Sequence, residues 1–352
     1  MMGKTMPMDH IMTLTADTIL ATPPHKAADL LPGVKDLRRA LVKLAARWHP
    51  DSCPDPRAAD VFAHVLSMRD RAAGGSKASI PAGVGFRTSE GRRFRLSPLS
   101  RRAVDQGEVI LCPNSLMTRF DAGCMDLAEA ELAAPDRFRF ADEKMRSQMA
   151  PFIPRIIKKL DLDDGGAMVV AQRDAEEILL SDLLDRSGPM PPVHAAWLCS
   201  GLMNIAAWLG YCGLVHGAIA PDTLLVDPAK HSVRLAAGWA FANPAGARPT
   251  ALPGRTLDLL PRLAIKGETV DGRTDLELVR QTVREALGDP RGSAGPISAL
   301  PAPISGWLSL PPAASAAEDY AAWQRALEAG WGKRRFVDYP VRAADVYRTT
   351  AS

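Results

Sequence analysis

The segment Ala195 to Val215, AAWLCSGLMNIAAWLGYCGLV, holds no charged residue. A helix of that length either crosses a bilayer or has to be surrounded on every side by other protein. Ser200, Asn204 and three glycines interrupt it, and no Lys or Arg cluster flanks either end to set an orientation. A fully buried helix of a large soluble domain fits better, with no membrane partner. Such a helix needs layers on all sides, and 352 residues of which 47% are apolar supply them. Aromatic residues are only 6%, so the core rests on Leu, Ala, Val, Ile and Met.

The rest of the chain divides around that helix. Residues 1–26 read as irregular, and residues 27–73 as short helices. Gly, Ser, Ala and Pro in AAGGSKASIPAGVG mark a linker over 74–85. Strand-like pieces follow at Phe94 to Leu96, Val109 to Cys112, Leu116 to Phe120 and Ala167 to Ala171, with a charged helical stretch near Ala141 to Met149. From Pro192 onward the pattern is mostly helical, broken by a strand-like pair at Thr223 to Val226 and Ser232 to Ala236. Strands first and helices later predict an α+β domain of two lobes.

On a helix over Val34 to Trp48, Leu37, Leu41, Leu44 and Trp48 share one face, while Lys35, Arg39, Lys43 and Arg47 lie nearly opposite. Pro50 ends that helix. Ala58 to Ala72 reads as a second, with Val61, Phe62, Val65, Leu66 and Met68 as its apolar side. Two antiparallel helices would set His49-Pro50-Asp51 at the tip of the loop joining them. The amphipathic helix, Trp-His-Pro-Asp, the short loop and AADVFAHVLSMRD together resemble the J domain of DnaJ-type co-chaperones. The resemblance covers about residues 25–73. It implies a DnaK-type ATPase chaperone as partner, with His49, Pro50 and Asp51 activating it and Arg38, Arg39, Lys43 and Arg47 docking on an acidic groove. The first helix of such a domain, expected near Ala27 to Leu31, is short, is cut by Pro32 and lacks its usual aromatic.

A second motif, LVHGAIAPDTLLVD from Leu214 to Asp227, follows the uncharged helix and precedes HSVRLAAGWAFA. This order resembles the protein-kinase fold, in which a buried helix leads to HRDxKPxNxLL, a hairpin and DFG. His216, Pro221, Leu224 and Leu225 match, and Asp275 in GRTDLELVRQTVREALG sits where the helix anchoring that loop places its buried Asp. The chemistry does not match. Ala218 stands for the catalytic Asp, Ala220 for the Lys, Thr223 for the metal-binding Asn, and Ala237-Gly238-Trp239 for DFG. Phosphoryl transfer needs one carboxylate to orient the nucleophile and another to hold Mg²⁺, and alanine does neither. Arg119 falls where the third strand carries its Lys, with Glu143 as its helix partner and Glu129 and Glu131 competing for that role. There is no GxGxxG. The resemblance implies a β-rich lobe over about 86–173 and a helical lobe over about 174–345, catalytically inactive.

The expectation is therefore a co-chaperone-like protein: a small all-α helical-hairpin J domain joined to a two-lobed kinase-like domain that binds a client or partner. It implies no cofactor of its own, ATP being used by the partner chaperone. Two other function classes stay open: an atypical kinase using relocated acids such as Asp222 or Asp227, and a structural module with a vestigial His-Pro-Asp. No metal site is expected, because the seven histidines do not cluster at ligand spacing. Five scattered cysteines without CxxC suit a reducing cytoplasm. With a net charge of +3, nucleic acid is not expected. Arg92, Arg93, Arg95, Arg101 and Arg102 read as a solvated face, as do Lys333, Arg334 and Arg335, whereas Tyr320, Trp323 and Trp331 read as helix-packing residues.

Overall fold

The computed structural model describes residues 13–22, 27–32, 40, 41, 44, 45, 47, 48, 53–74, 83–259, 269–292 and 295–347. His49, Pro50, Asp51, Arg38, Arg39 and Lys43 lie outside them. The chain forms two compact units, Met1–Lys77 and Ala78–Ser352.

The first unit is helical in all its described elements. A helix spans Ala16–Ala21, where irregular chain was expected, and Thr15 caps it by accepting from the Thr18 amide at 3.3 Å. The local signal is the N-cap threonine followed by Asp17 in the first turn. Further helices follow at Ala27–Leu30 and Ala58–Gly74, and residues 40, 41, 44, 45 and 47 are helical between them. Leu41, Leu44 and Trp48 pack in one core with Val61, Val65, Met68, Ile19 and Leu30. Three residues of the first predicted apolar face therefore meet the second helix, while Leu37 lies outside the described residues. Of the docking cations only Arg47 is described, half-buried, donating to the Leu14 carbonyl at 3.0 Å and lying over the Trp48 ring.

The second unit begins with a hairpin, β1 (Val84–Arg87) and β2 (Arg93–Leu96), and continues into a five-stranded antiparallel sheet. That sheet contains β3 (Ser100–Val104), β4 (Gly107–Cys112), β5 (Ser115–Phe120), β6 (Ile156–Asp161) and β7 (Ala167–Gln172), in spatial order β3-β4-β5-β7-β6. Strands β4 and β7 are buried on consecutive residues rather than alternately because both faces of the sheet are covered. Phe86, Phe94 and Leu96 of the first hairpin pack on one face, against Ile110, Cys112, Met168 and Val170. Between β5 and β6 lie two helices, Met125–Leu132 and Glu143–Met149.

The helical lobe surrounds the uncharged segment, which is helical over Pro192–Cys212 and capped by Gly213 in the left-handed region at φ 69°. It packs on helices Gly272–Ala286 and Ala316–Trp331 and on β11 (Ser232–Leu235). A Cβ at Gly201 would collide with Val233, so glycine permits that approach. Beneath it Arg280 and Asp319 form a buried bidentate pair at 2.6 and 2.7 Å, with the guanidinium over Trp307. Trp323 joins this core, whereas Trp331 is exposed at the helix end, against its sequence assignment as a packing residue. Arg101 and Arg102 also depart from a solvated face: Arg101 forks onto Glu108, and Arg102 reaches the buried Asp182. Arg92, Arg93, Arg95 and Lys333 to Arg335 are exposed.

Candidate functional site

The site lies where the sheet meets the helical lobe. Its floor is the loop from His216 to Thr223, which enters from β9 (Leu214–Val215) and leaves into β10 (Leu224–Asp227). Asp275, on helix Gly272–Ala286, accepts from the amides of His216 at 2.7 Å and Gly217 at 2.8 Å. Two donors on one buried carboxylate fix the loop entrance, while burial raises that carboxyl to about 6. The His216 ring is fully buried, edge-on to Trp239, and burial lowers it to about 3, so it is neutral. Its Nδ1 accepts from the Ala218 amide at 3.2 Å, turning the imidazole into a loop brace.

Thr223 closes the loop from the other end. Its hydroxyl oxygen accepts from the Ala220 amide at 3.0 Å and faces the carbonyls of Ala220 and Ala218 at 2.9 and 3.0 Å. Its carbonyl accepts from the amides of Ala236 and Ala237 at 2.9 and 3.2 Å. Ala218, Ala220 and Ala237 are buried, and the backbone at Gly238 turns at φ 82°. A side chain at Gly238 would press on Thr223, Ala218 and His216. The six sequence-selected positions and Asp275 are thus brought together, and the loop's own acid, Asp222, is half-buried with its carboxyl pushed up by desolvation. Asp227 faces its own turn and pairs with Lys230 at 2.7 Å.

Arg119 and Glu143 are not brought together. Leu116, Thr118 and Phe120 face the interior of β5, so Arg119 points to the opposite face. There it pairs with Asp121 at 2.6 Å and Asp164 at 2.5 Å, in a groove of about 740 Å³ shared with Arg87, Arg93 and Arg95. Glu143 is exposed and pairs with Arg146 at 3.3 Å. The buried glutamate is Glu131, which accepts from the Ala240 amide at 2.5 Å, and burial raises it to about 7. Glu131 therefore holds the segment after Gly238 instead of a cation in the roof.

The rest of the roof is equally unsuited to phosphate. Val104 pairs with Gly107, leaving only Asp105 and Gln106 in the turn and no run of free amides. Asp105 accepts from the Gly254 amide at 2.8 Å. At the back of the cleft Arg173 is buried and donates to the carbonyls of Pro113, Ala175, Glu177 and Cys112. Roof and floor share one apolar cluster: Val109, Leu111 and Leu116 above, Leu179, Leu225, Ala236 and Ala237 below, each at most 3% exposed. Among the described residues no group of three His, Cys, Asp or Glu could hold a metal ion.

No family model and no curated protein matches the chain. Among solved structures, that of vaccinia related kinase 3 is similar at 15% identity and a TM-score of 0.41, over 73% of this chain and 79% of that one.

Proposed function

We propose that the chain is a co-chaperone whose N-terminal unit recruits and stimulates a DnaK-type ATPase chaperone, and whose kinase-like unit is a non-catalytic binding module for a client or partner in the cytoplasm. The kinase-like layout is supported by the strand order of the sheet, by the loop following the buried helix, and by Asp275 on the amides of that loop. One observation carries the non-catalytic half: roof and floor of the cleft share a single buried apolar cluster, over a loop that holds Ala218, Ala220 and Thr223 with Ala237 beside it. Phosphoryl transfer lacks there a carboxylate at positions 218 and 237, where alanine neither orients a nucleophile nor holds Mg²⁺.

The co-chaperone half rests on the sequence His49-Pro50-Asp51 beside a basic stripe, with support from the way Leu41, Leu44 and Trp48 turn inward onto Val61, Val65 and Met68. The test is single-turnover ATP hydrolysis by a DnaK-type chaperone from the same cell, with wild type and His49→Gln. Acceleration by wild type and its loss in the variant are expected. No acceleration by the full chain overturns the proposal.

A further inference from the structure

The last described helix, Ala343–Tyr347, returns to the cleft after a long excursion. Beyond helix Ala316–Trp331 the residues Lys333 to Asp338 run exposed, and the chain is then fastened by ring contacts. Phe336 stacks on His231 at 4.2 Å and Tyr339 on His194 at 4.1 Å. Eight residues later Tyr347 packs against the cluster that joins roof and floor. Its hydroxyl accepts from the Leu179 amide at 3.0 Å and donates to Asp182 at 3.0 Å, while the Arg173 guanidinium lies 5.7 Å from its ring centre.

These contacts match a phenol group by group. A phenol brings one apolar ring, one O–H donor and one acceptor. The cleft offers apolar walls, one carboxylate and one amide, with a cation near the ring face. The donor and acceptor come from different elements, Leu179 from β8 (Ile178–Leu179) and Asp182 from helix Leu180–Ser187. Asp182 is itself fixed by Ser100 at 2.5 Å and by Arg102. The site is thus built by the fold and not by the arm that fills it. A helix of five residues has little stability of its own. What holds the arm here is the ring and its hydroxyl.

We propose that the inter-lobe cleft is a tyrosine-recognition site, occupied in cis by Tyr347, and that a partner protein presenting a tyrosine on a short apolar segment binds there once the arm is displaced. The inference shares with the proposed function only the premise that the cleft holds no nucleotide, and not the chaperone partner.

The test uses the full chain and a fluorescein-labelled peptide copying residues 338–347. Tyr347→Ala is expected to bind the peptide saturably, and wild type, its site filled, roughly tenfold more weakly or less. A peptide ending in Phe in place of Tyr is expected to lose roughly tenfold in affinity, having nothing to join the Leu179 amide and Asp182. No saturable binding to a Tyr347→Ala protein that melts like wild type overturns the proposal, as does equal affinity for wild type and variant. Tyr347→Phe keeps the ring and covers the case in which the alanine variant does not fold. Its Leu179 amide is expected to exchange faster with solvent while Leu225 and Val109 do not change, and unaltered exchange at Leu179 overturns the proposal. Excess Mg·ATP that leaves the peptide bound supports both readings. Displacement by Mg·ATP keeps the tyrosine site and removes the premise of an empty nucleotide cleft.

Discussion

The Ala240 amide donates a 2.5 Å hydrogen bond to Glu131 across 109 residues of sequence. The carboxyl is fully buried, and desolvation raises it to about 7 from an ordinary value of 4.5. Below about pH 4.5 both folded and unfolded states hold the proton. Between 4.5 and 7 the unfolded state has released it and the folded state retains it, so stability falls as pH rises through that window. Glu131→Gln has no such dependence, while Asp275 and His216 titrate in both proteins and cancel in the comparison. The melting temperature of the variant relative to wild type is therefore expected to rise from pH 5 to pH 8. A difference that does not change with pH would count against a raised Glu131.

Thr223→Val keeps the shape of the side chain and removes its hydroxyl. The Ala220 amide then loses its buried partner, and the carbonyls of Ala218 and Ala220 lose a donor. An unsatisfied buried group costs about 1–3 kcal/mol, so chemical denaturation should show a loss of that order. A neutral result would mean that Thr223 does not brace the loop.

Placing acids at positions 218 and 237 is not expected to create an enzyme. Ala218→Asp with Ala237→Asp supplies the two carboxylates but leaves Thr118 in the roof, a two-residue turn at Asp105-Gln106 and the apolar cluster in place. Neither phosphoryl transfer nor a thermal shift with Mg·ATP is expected. Turnover by the double variant would revive the atypical-kinase reading.

Arg280 and Asp319 are each at most 2% exposed and bonded at two points. Asp319→Ala leaves a buried guanidinium without its charge partner, which typically costs about 3–5 kcal/mol. Equilibrium unfolding by urea checks this, and a loss below about 1 kcal/mol would indicate that water reaches Arg280 in the variant.

Part of this was legible in the sequence. The uncharged run had to be a core helix if soluble, and Asp275 was found because GRTDLELVRQTVREALG resembles the helix that anchors the catalytic loop of protein kinases. Arg119 and Glu143 were misplaced for a physical reason. Strand side chains alternate, so an error of one residue along LMTRF moves a cation from the interior to the outer face. Three glutamates within 15 residues of each other offered themselves to the roof, and only packing picks Glu131. Tyr347 gave no signal at all. Its partners, Leu179 and Asp182, are more than 160 residues away, and no local pattern records a contact of that range.

A two-lobed enzyme keeps a wet seam between its lobes, and that seam lets each lobe open while the other stays folded. Here Val109, Leu116, Leu225 and Ala236 lie in one buried apolar cluster, and Ser100, Arg102 and Tyr347 converge on Asp182 along the same line. The line between the lobes is therefore not a boundary of least cooperativity. Partial opening along it exposes core, so its free energy approaches that of unfolding the whole domain. The described residues of the unit Ala78–Ser352 are then expected to unfold as one foldon, with the slowest-exchanging amides in both lobes and a single heat-absorption peak for the unit.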